Sequence, residues 1–242
     1  MRITRVYAPA PLATGRSVAL TPSGATHLAK VLRVRVGDAV NIFDGAGNEF
    51  GAIIETLGKS VGVRVGERAS GAAESPLNIT LIQGISRGER MDWVVQKATE
   101  LGVSTIVPVI TARSVVKIDR QQAAKKHEHW RQIMIGACEQ CGRNVLPALA
   151  QPLTLSQQLS APANAARRYL LDPLGLQSFS GQSTAQSVEL LIGPEGGLDD
   201  AEIAAAKLAG FVGVKMGPRV LRTETAAVAA LTLLQGMWGD LA

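Results

Sequence analysis

The sequence has 242 residues with a net charge of +5, and 46% of its residues are hydrophobic, which suffices for one large or two modest folded domains. Charged residues make up 19% of the chain, a fraction that excludes a disordered polyelectrolyte. The longest apolar run near the end, residues 226–234, is too short to cross a bilayer, and the first residues lack the apolar core of a secretion signal. We therefore predict a cytosolic protein.

The positive charge is concentrated in the front of the chain. Residues 1–145 hold 19 basic and 12 acidic side chains, whereas residues 146–242 hold 6 and 8. This asymmetry favours a polyanionic partner, although an ordinary solvated surface accounts for it about as well.

Residues 1–72 are predicted to form a small β-rich domain. Valines alternate with polar residues or glycine over residues 61–66, as in a half-buried strand. Between the early strands we predict a short helix with Thr21 as its cap and Pro22 at its first position. Its inner face would carry His27, Leu28, Val31 and Leu32. Residues 69–75 lack large apolar side chains, which is typical of a linker.

Strands and helices alternate after the linker. We predict strands at 78–85, 103–110, 168–171, 188–192 and 211–216, and helices at 89–101, 120–140, 154–159, 199–208 and 223–237. This alternation predicts a mostly parallel sheet with helices on both faces. The predicted helix caps are Asp119, Thr154 with Gln157, Asp199 with Glu202, and Thr223.

The chain has two cysteines, Cys138 and Cys141, spaced as a CxxC pair. A zinc site needs four ligands, and His127 and His129 lie on the same predicted helix, which cannot fold back to complete a tetrahedron. We therefore predict no metal site and interpret both cysteines as small, partly buried side chains.

Two segments place glycine directly after a predicted strand. In the first, Ile192 leads into Gly193-Pro194-Glu195-Gly196-Gly197, where glycines let the backbone approach a ligand at the carboxyl end of a strand. In the second, residues 216–226, Arg222 and Glu224 flank the start of the last helix. That pair could serve an anionic group and a proton, or it could simply complement the helix dipole and surface charges.

Two further segments, residues 86–103 and 139–143, read singly as ordinary capped helix ends. Together, however, the segments QKATELGV, EQCGR, LLIGPEGGL and GPRVLRTETA resemble the ribosomal RNA small subunit methyltransferase E family, of the knotted SPOUT class. The resemblance runs over nearly the whole chain, and one departure is Met216, where leucine is expected.

The resemblance implies an α/β fold: a SPOUT-type domain over residues 76–242 with a C-terminal trefoil knot, preceded by a PUA-like β-barrel RNA-binding domain over residues 1–72. It also implies that loops 171–173, 192–197 and 216–226 bind S-adenosylmethionine. The implied cofactor-binding residues are Leu171, Ile192, Gly193, Pro194, Glu195, Gly196, Gly197, Met216, Gly217, Val220, Leu221, Thr223, Thr225 and Ala226.

The reaction implied by the resemblance is methylation of N3 of one uridine near the 3′ end of 16S rRNA in the small ribosomal subunit. Arg222 would stabilise the deprotonated base, and Glu224 or Glu139 would accept its proton. The predicted RNA contacts are Arg2, Arg5, Lys30, Arg33, Arg35, Arg87 and Arg143. A homodimer is also implied, with the small residues Ala226, Ala227, Ala229 and Ala230 of the last helix offering a close packing face. The alternatives are another RNA acceptor for the same fold, or a non-catalytic rRNA-binding assembly factor.

Overall fold

The computed structural model describes residues 4–9, 11–26, 28, 34–58, 60–69, 71, 73–114, 119–162, 165–179 and 183–241. The chain divides into two compact units: Met1–Glu74 with Ile135–Leu146, and Ser75–Met134 with Pro147–Ala242. The first unit thus includes residues 135–146, which the sequence-based division assigned to the second domain. The domain limits 1–72 and 76–242 otherwise stay a prediction.

The first unit is built on a five-stranded sheet. Its elements are β1 (Arg5–Tyr7), β2 (Ser17–Ala19), α1 (Pro22–Thr26), β3 (Ala39–Phe43), β4 (Glu49–Thr56) and β5 (Gly62–Arg68). The strand order is β1-β3-β4-β5-β2, with β1 parallel to β3 and the other pairs antiparallel.

Local sequence signals in this unit are confirmed. Val63 and Val65 are buried in its core while Arg64 between them is exposed, as the alternation predicts. The backbone N–H of Gly24 donates to Thr21 Oγ1 at 3.2 Å, so Thr21 caps α1. His27, Val31 and Leu32 of the predicted helix face lie outside the described residues.

A buried polar cluster joins residues 135–146 to the first sheet. The Arg5 guanidinium pairs with Glu49 at 3.2 Å and donates to the Cys138 carbonyl at 2.8 Å. Arg143 pairs with Glu74 at 2.8 Å. Since a buried charge must be paired, these contacts explain why the segment belongs to this unit although it is distant in sequence.

The second unit alternates strands and helices. Its elements are β6 (Asn78–Gly84), α2 (Glu89–Glu100), β7 (Thr105–Ile110), α3 (Arg120–Cys141, whose last turns belong to the first unit), β8 (Ala148–Leu149), β9 (Leu153–Thr154), α4 (Leu155–Leu159), β10 (Arg167–Leu171), β11 (Ser187–Ile192), α5 (Asp200–Leu208), β12 (Val212–Val214) and α6 (Thr223–Trp238). The strands run parallel in the order β12-β10-β11-β6-β7-β8, and β9 also pairs with β7.

Apolar side chains cover both faces of this sheet. On one face, Leu81 packs in a cluster with residues of α2 and α6. On the other face, Ile82 packs in a cluster with residues of α4 and α5. Successive residues of a strand point to opposite faces, so β6 contributes to both layers. The predicted parallel sheet with helices on both faces is therefore confirmed.

Most of the predicted helix caps are also confirmed. Complete capping boxes form between Thr154 and Gln157 and between Asp199 and Glu202. Asp119 accepts a hydrogen bond from the backbone N–H of Gln122 at 2.8 Å. The proposed dimer face of α6 needs a correction, because Ala227 and Ala230 are buried in the core of their own unit.

The structure bears on the cysteines, on metal binding and on membrane insertion. Burial raises the pKa of the Cys138 thiol to about 12, which leaves it protonated and unreactive. Among the described residues, no cluster of three or more His, Cys, Asp or Glu side chains is arranged to hold a metal ion. In the described part of the chain, no helix combines the length and the apolar character that a membrane span requires.

Candidate functional site

Three neighbouring strands of the second sheet end at the same edge. Strands β12, β10 and β11 are adjacent and parallel, so the loops that follow their carboxyl ends converge. These loops line a cavity of about 610 Å³, which we call the strand-end cavity. Its volume lies within the roughly 300–1,000 Å³ that is typical of small-molecule sites.

Nearly all of the predicted cofactor-binding residues line the strand-end cavity. The structure brings together Leu171, Ile192 and Met216, the first and last of which are 45 positions apart. Thr225 is the exception, since it is exposed on α6 and is not part of the lining. The lining also includes the basic residues Arg90, Arg113, Lys215 and Arg219, which the sequence did not single out for this site.

The GPEGG loop (residues 193–197) follows β11 and packs tightly against β6. A Cβ added to Gly84, the last residue of β6, would lie 2.4 Å from the backbone nitrogen of Pro194. Gly197 has a φ of +70°, which glycine adopts without strain. The loop therefore depends on Gly84 as well as on its own glycines, and Gly84 was missed because it belongs to another strand.

Side chains from two other segments hold the GPEGG loop. Glu195 accepts hydrogen bonds from the Arg87 backbone N–H and from Arg90, both at 2.9 Å. Burial acts to raise the pKa of Glu195, but these bonds and the Arg90 charge outweigh it, and the pKa is lowered. Arg113 donates to the Gly196 carbonyl at 3.1 Å. The Glu195 carboxylate therefore shapes the loop.

Thr223 does not cap α6, and that prediction is wrong. The cap position is held by Arg222, in extended conformation and without a side-chain cap bond, and Thr223 is the first helical residue. The Thr223 hydroxyl instead donates to the Gly193 carbonyl at 2.7 Å and accepts from Gln83 Nε2 at 3.0 Å. The Thr223 hydroxyl is therefore bonded to Gln83 of β6 and to Gly193 of the GPEGG loop instead of capping α6. Its bond to Gly193 connects the two glycine-rich segments.

Arg222 and Glu224 both line the strand-end cavity. Arg222 is exposed, and its guanidinium makes no ion pair with any described residue. Glu224 is half-buried, and within the described part of the chain its buried Oε2 atom has no hydrogen-bond partner. Buried polar atoms are nearly always paired, so an orphaned carboxylate oxygen beside a cavity indicates a polar ligand.

Glu139, the second predicted base, lies in the first unit. Its Oε1 atom accepts a hydrogen bond from the Tyr7 backbone N–H at 3.0 Å, so it has a structural role there. It is not among the residues that line the strand-end cavity.

The predicted RNA contacts divide into three groups. Arg35 and Arg87 are exposed, as an RNA contact requires. Arg5 and Arg143 are 9% and 4% exposed and are paired with Glu49 and Glu74, so their prediction as surface contacts is corrected. Arg2, Lys30 and Arg33 lie outside the described residues.

Two family models match the chain. Residues 73–235 match an RNA methyltransferase domain, and residues 20–60 match an RNA methyltransferase PUA domain. The first match spans well over half of the sequence and contains all of the loops that line the strand-end cavity.

Individual relatives agree with these models. The ribosomal RNA small subunit methyltransferase E of Buchnera aphidicola subsp. Acyrthosiphon pisum is 32% identical, over 99% of this chain and 95% of the relative. A protein from Legionella pneumophila, solved in complex with the cofactor SAM, is 44% identical with a TM-score of 0.96, and the match covers 100% of both chains. The ribosomal RNA small subunit methyltransferase E of Neisseria gonorrhoeae, solved with S-adenosyl methionine, is 37% identical with a TM-score of 0.91, again over 100% of both chains. This chain therefore belongs to the ribosomal RNA small subunit methyltransferase E family.

Proposed function

We propose that the chain transfers a methyl group from S-adenosylmethionine to N3 of one uridine near the 3′ end of 16S rRNA. The observation that carries this proposal is the strand-end cavity, where three strand-end loops meet and where both Arg222 and Glu224 are part of the lining. The two solved relatives named above, with S-adenosylmethionine bound, support the choice of cofactor.

The cavity fits the cofactor in size and chemistry. Leu171, Ile192 and Leu221 give it apolar walls for an aromatic base. The backbone of the cavity-lining loops supplies polar groups for the ribose and the amino-acid tail. Residues 192–197 and 216–226 would hold the cofactor, whose sulfonium group supplies an electrophilic methyl. The trefoil knot expected for these loops stays a prediction.

The acceptor nitrogen must first become nucleophilic. N3 of uridine carries a proton, and removing it leaves a negative charge shared with O2 and O4. The Arg222 guanidinium is unpaired in the described structure and can donate two parallel hydrogen bonds to that charge. Glu224, with its unpartnered oxygen, can accept the proton. Glu139 is the weaker candidate for the base, because its carboxylate already binds Tyr7.

RNA would approach over the basic lining of the same cavity. Arg90, Arg113, Lys215 and Arg219 lie in the lining, and the exposed Arg87 is three positions before Arg90 in the chain. The exposed Arg87, Lys215 and Arg219 make no ion pair with a described residue and are available for phosphate contacts, which supply most of the affinity for RNA. Together with the PUA-type domain, this supports 16S rRNA of the small ribosomal subunit as the partner.

We further propose that the chain forms a cytoplasmic homodimer. Its interface would use a different surface from the alanine face of α6 that the sequence predicted. Leu233 and Met237 of α6 are 47% and 38% exposed, and Trp93 of the neighbouring α2 is 41% exposed. Exposed apolar side chains on two packed helices are typical of a subunit interface.

The proposed function is tested with purified protein, methyl-labelled S-adenosylmethionine and small ribosomal subunits that lack the modification. We expect one methyl group per subunit, recovered as 3-methyluridine by nucleoside mass spectrometry. A methylated ribose or a different methylated base would reject the uridine assignment. Cofactor binding without any methyl transfer would favour the non-catalytic assembly factor.

A further inference from the structure

We propose that Gln83 is a positioning residue, which sets Arg222 and Glu224 at the strand-end cavity by holding the first residue of α6 against the GPEGG loop. This inference rests on the proposed function of that cavity. Gln83 lies near the carboxyl end of β6, in register with Ile192 of the neighbouring β11. It is fully buried, so its amide acts on the protein and not on solvent.

The Gln83 amide starts a directed chain of hydrogen bonds. Gln83 Nε2 donates to Thr223 Oγ1 at 3.0 Å, and the Thr223 hydroxyl donates its single proton to the Gly193 carbonyl at 2.7 Å. Nε2 also donates to the Gly84 carbonyl at 3.1 Å, with Gly193 O at 3.4 Å. A hydroxyl that accepts one bond and donates one is held in a single orientation.

The orientation of the amide is fixed by what surrounds it. Gln83 Nε2 faces three oxygen atoms, and exchanging the amide nitrogen and oxygen would set the Gln83 carbonyl against the carbonyls of Gly84 and Gly193. In the adopted orientation, Oε1 is buried without a partner among the described residues, which is unfavourable because the atom has lost its hydrogen bonds to water. An apolar side chain of the same length would avoid that cost, so packing does not explain this amide.

Because Thr223 is held in place, its neighbours Arg222 and Glu224 are held in place as well. Arg222 holds the cap position of α6, and its carbonyl accepts the first helical bond from Ala226 N at 2.8 Å. Helix ends fray when their first residues are not tied down. Because the start of α6 has no side-chain cap bond, the Gln83–Thr223–Gly193 chain replaces that cap and sets where the first turn lies.

The test compares two buried glutamines. Gln83→Met removes the chain at similar volume. Gln235→Met is the matched control, because Gln235 is also fully buried and donates to the Leu101 carbonyl at 2.8 Å, yet it is not part of the cavity lining. In the cofactor-free protein, amide exchange at Ala226 measured by NMR should become faster in Gln83→Met and stay unchanged in Gln235→Met.

Kinetics provide the second measurement. Gln83→Met should lower kcat by about 10–100-fold, the scale expected when catalytic groups are misplaced by up to 1 Å. The Kd for S-adenosylmethionine, measured by calorimetry, should change much less. Gln235→Met should lower Tm while its kcat below that temperature equals that of the wild type.

Each result decides the proposal. Unchanged Ala226 exchange, an unchanged kcat, or losses that match those of Gln235→Met would overturn it. If Gln83→Met does not fold, Thr223→Val breaks the same hydrogen-bond chain from the other side and should give the same Ala226 exchange and the same kinetics. If neither variant folds while Gln235→Met does, the hydrogen-bond chain serves folding and the proposal is rejected. A wild-type protein without methyl transfer would reject the proposed function, and Ala226 exchange would still test the positioning role.

Discussion

Replacing Arg222 with alanine separates catalysis from binding. Arg222 is exposed and makes no ion pair with a described residue, so its loss should change stability by no more than about 0.5 kcal/mol. If it stabilises the developing charge on uridine, its interaction is stronger in the transition state than in the ground state. Turnover should then fall by about 10²–10³-fold, equivalent to about 2.7–4 kcal/mol, as for other lost oxyanion donors.

The assay measures kcat on small subunits together with the Kd for RNA and for S-adenosylmethionine. Arg219→Ala is the matched control, because Arg219 lines the same cavity three positions away and is also exposed. Removing Arg219 should weaken RNA binding and reduce its salt dependence by about one phosphate contact, with little effect on kcat. Arg222→Lys should recover little turnover, because a point charge cannot reproduce the planar fork.

Two results would refute the reasoning for Arg222. A fall in cofactor affinity that parallels the fall in kcat would show that Arg222 shapes the cofactor loop. Equal effects of Arg222→Ala and Arg219→Ala on kcat would show that only the total positive charge of the lining matters.

Three further predictions concern the loop and the cysteines. Because the folded-state pKa of Glu195 is lowered, the ionised carboxylate stabilises the fold above its ordinary pKa of 4.5, and this stabilisation is lost as pH falls through the folded value. The Tm difference between wild type and Glu195→Gln should therefore shrink below pH 4.5. A Tm difference that stays constant with pH would contradict this. Iodoacetamide at pH 8 should alkylate Cys141 and spare Cys138 in the native protein, as peptide mass spectrometry can show, since burial raises the pKa of Cys138 to about 12. Gly196→Val should weaken S-adenosylmethionine binding in calorimetry because its Cβ would lie 3.0 Å from Arg113 Cβ and displace the loop; equal affinity would show that the loop tolerates the shift.

Features encoded within a few residues were predictable from the sequence. The capping boxes at Thr154 and Asp199 formed as predicted, because the two partners of each box are three positions apart. The alternating strands and helices gave the parallel sheet and thereby the edge at which the loops converge. Nearly all of the cofactor-binding residues that the motifs and the family resemblance indicated line the cavity, whereas Arg90, Arg113 and Lys215 of the lining come from segments outside the predicted loops.

Features that depend on distant partners were not predictable. Arg5 and Arg143 looked like surface cations, but Glu49 and Glu74 pair with them inside the first unit. Thr223 looked like a helix cap, and its hydroxyl binds a residue 30 positions away. Gln83 was missed for the same reason, although one signal was present: it is a glutamine within the apolar end of a central strand.

The central claim, methylation of one 16S rRNA uridine at N3, is tested most directly in cells that lack this gene. Nucleoside mass spectrometry of their 16S rRNA should show no 3-methyluridine. Complementation with the wild-type gene should restore it, and complementation with the Arg222→Ala variant should not. An unchanged level of 3-methyluridine in the cells without the gene would contradict the account.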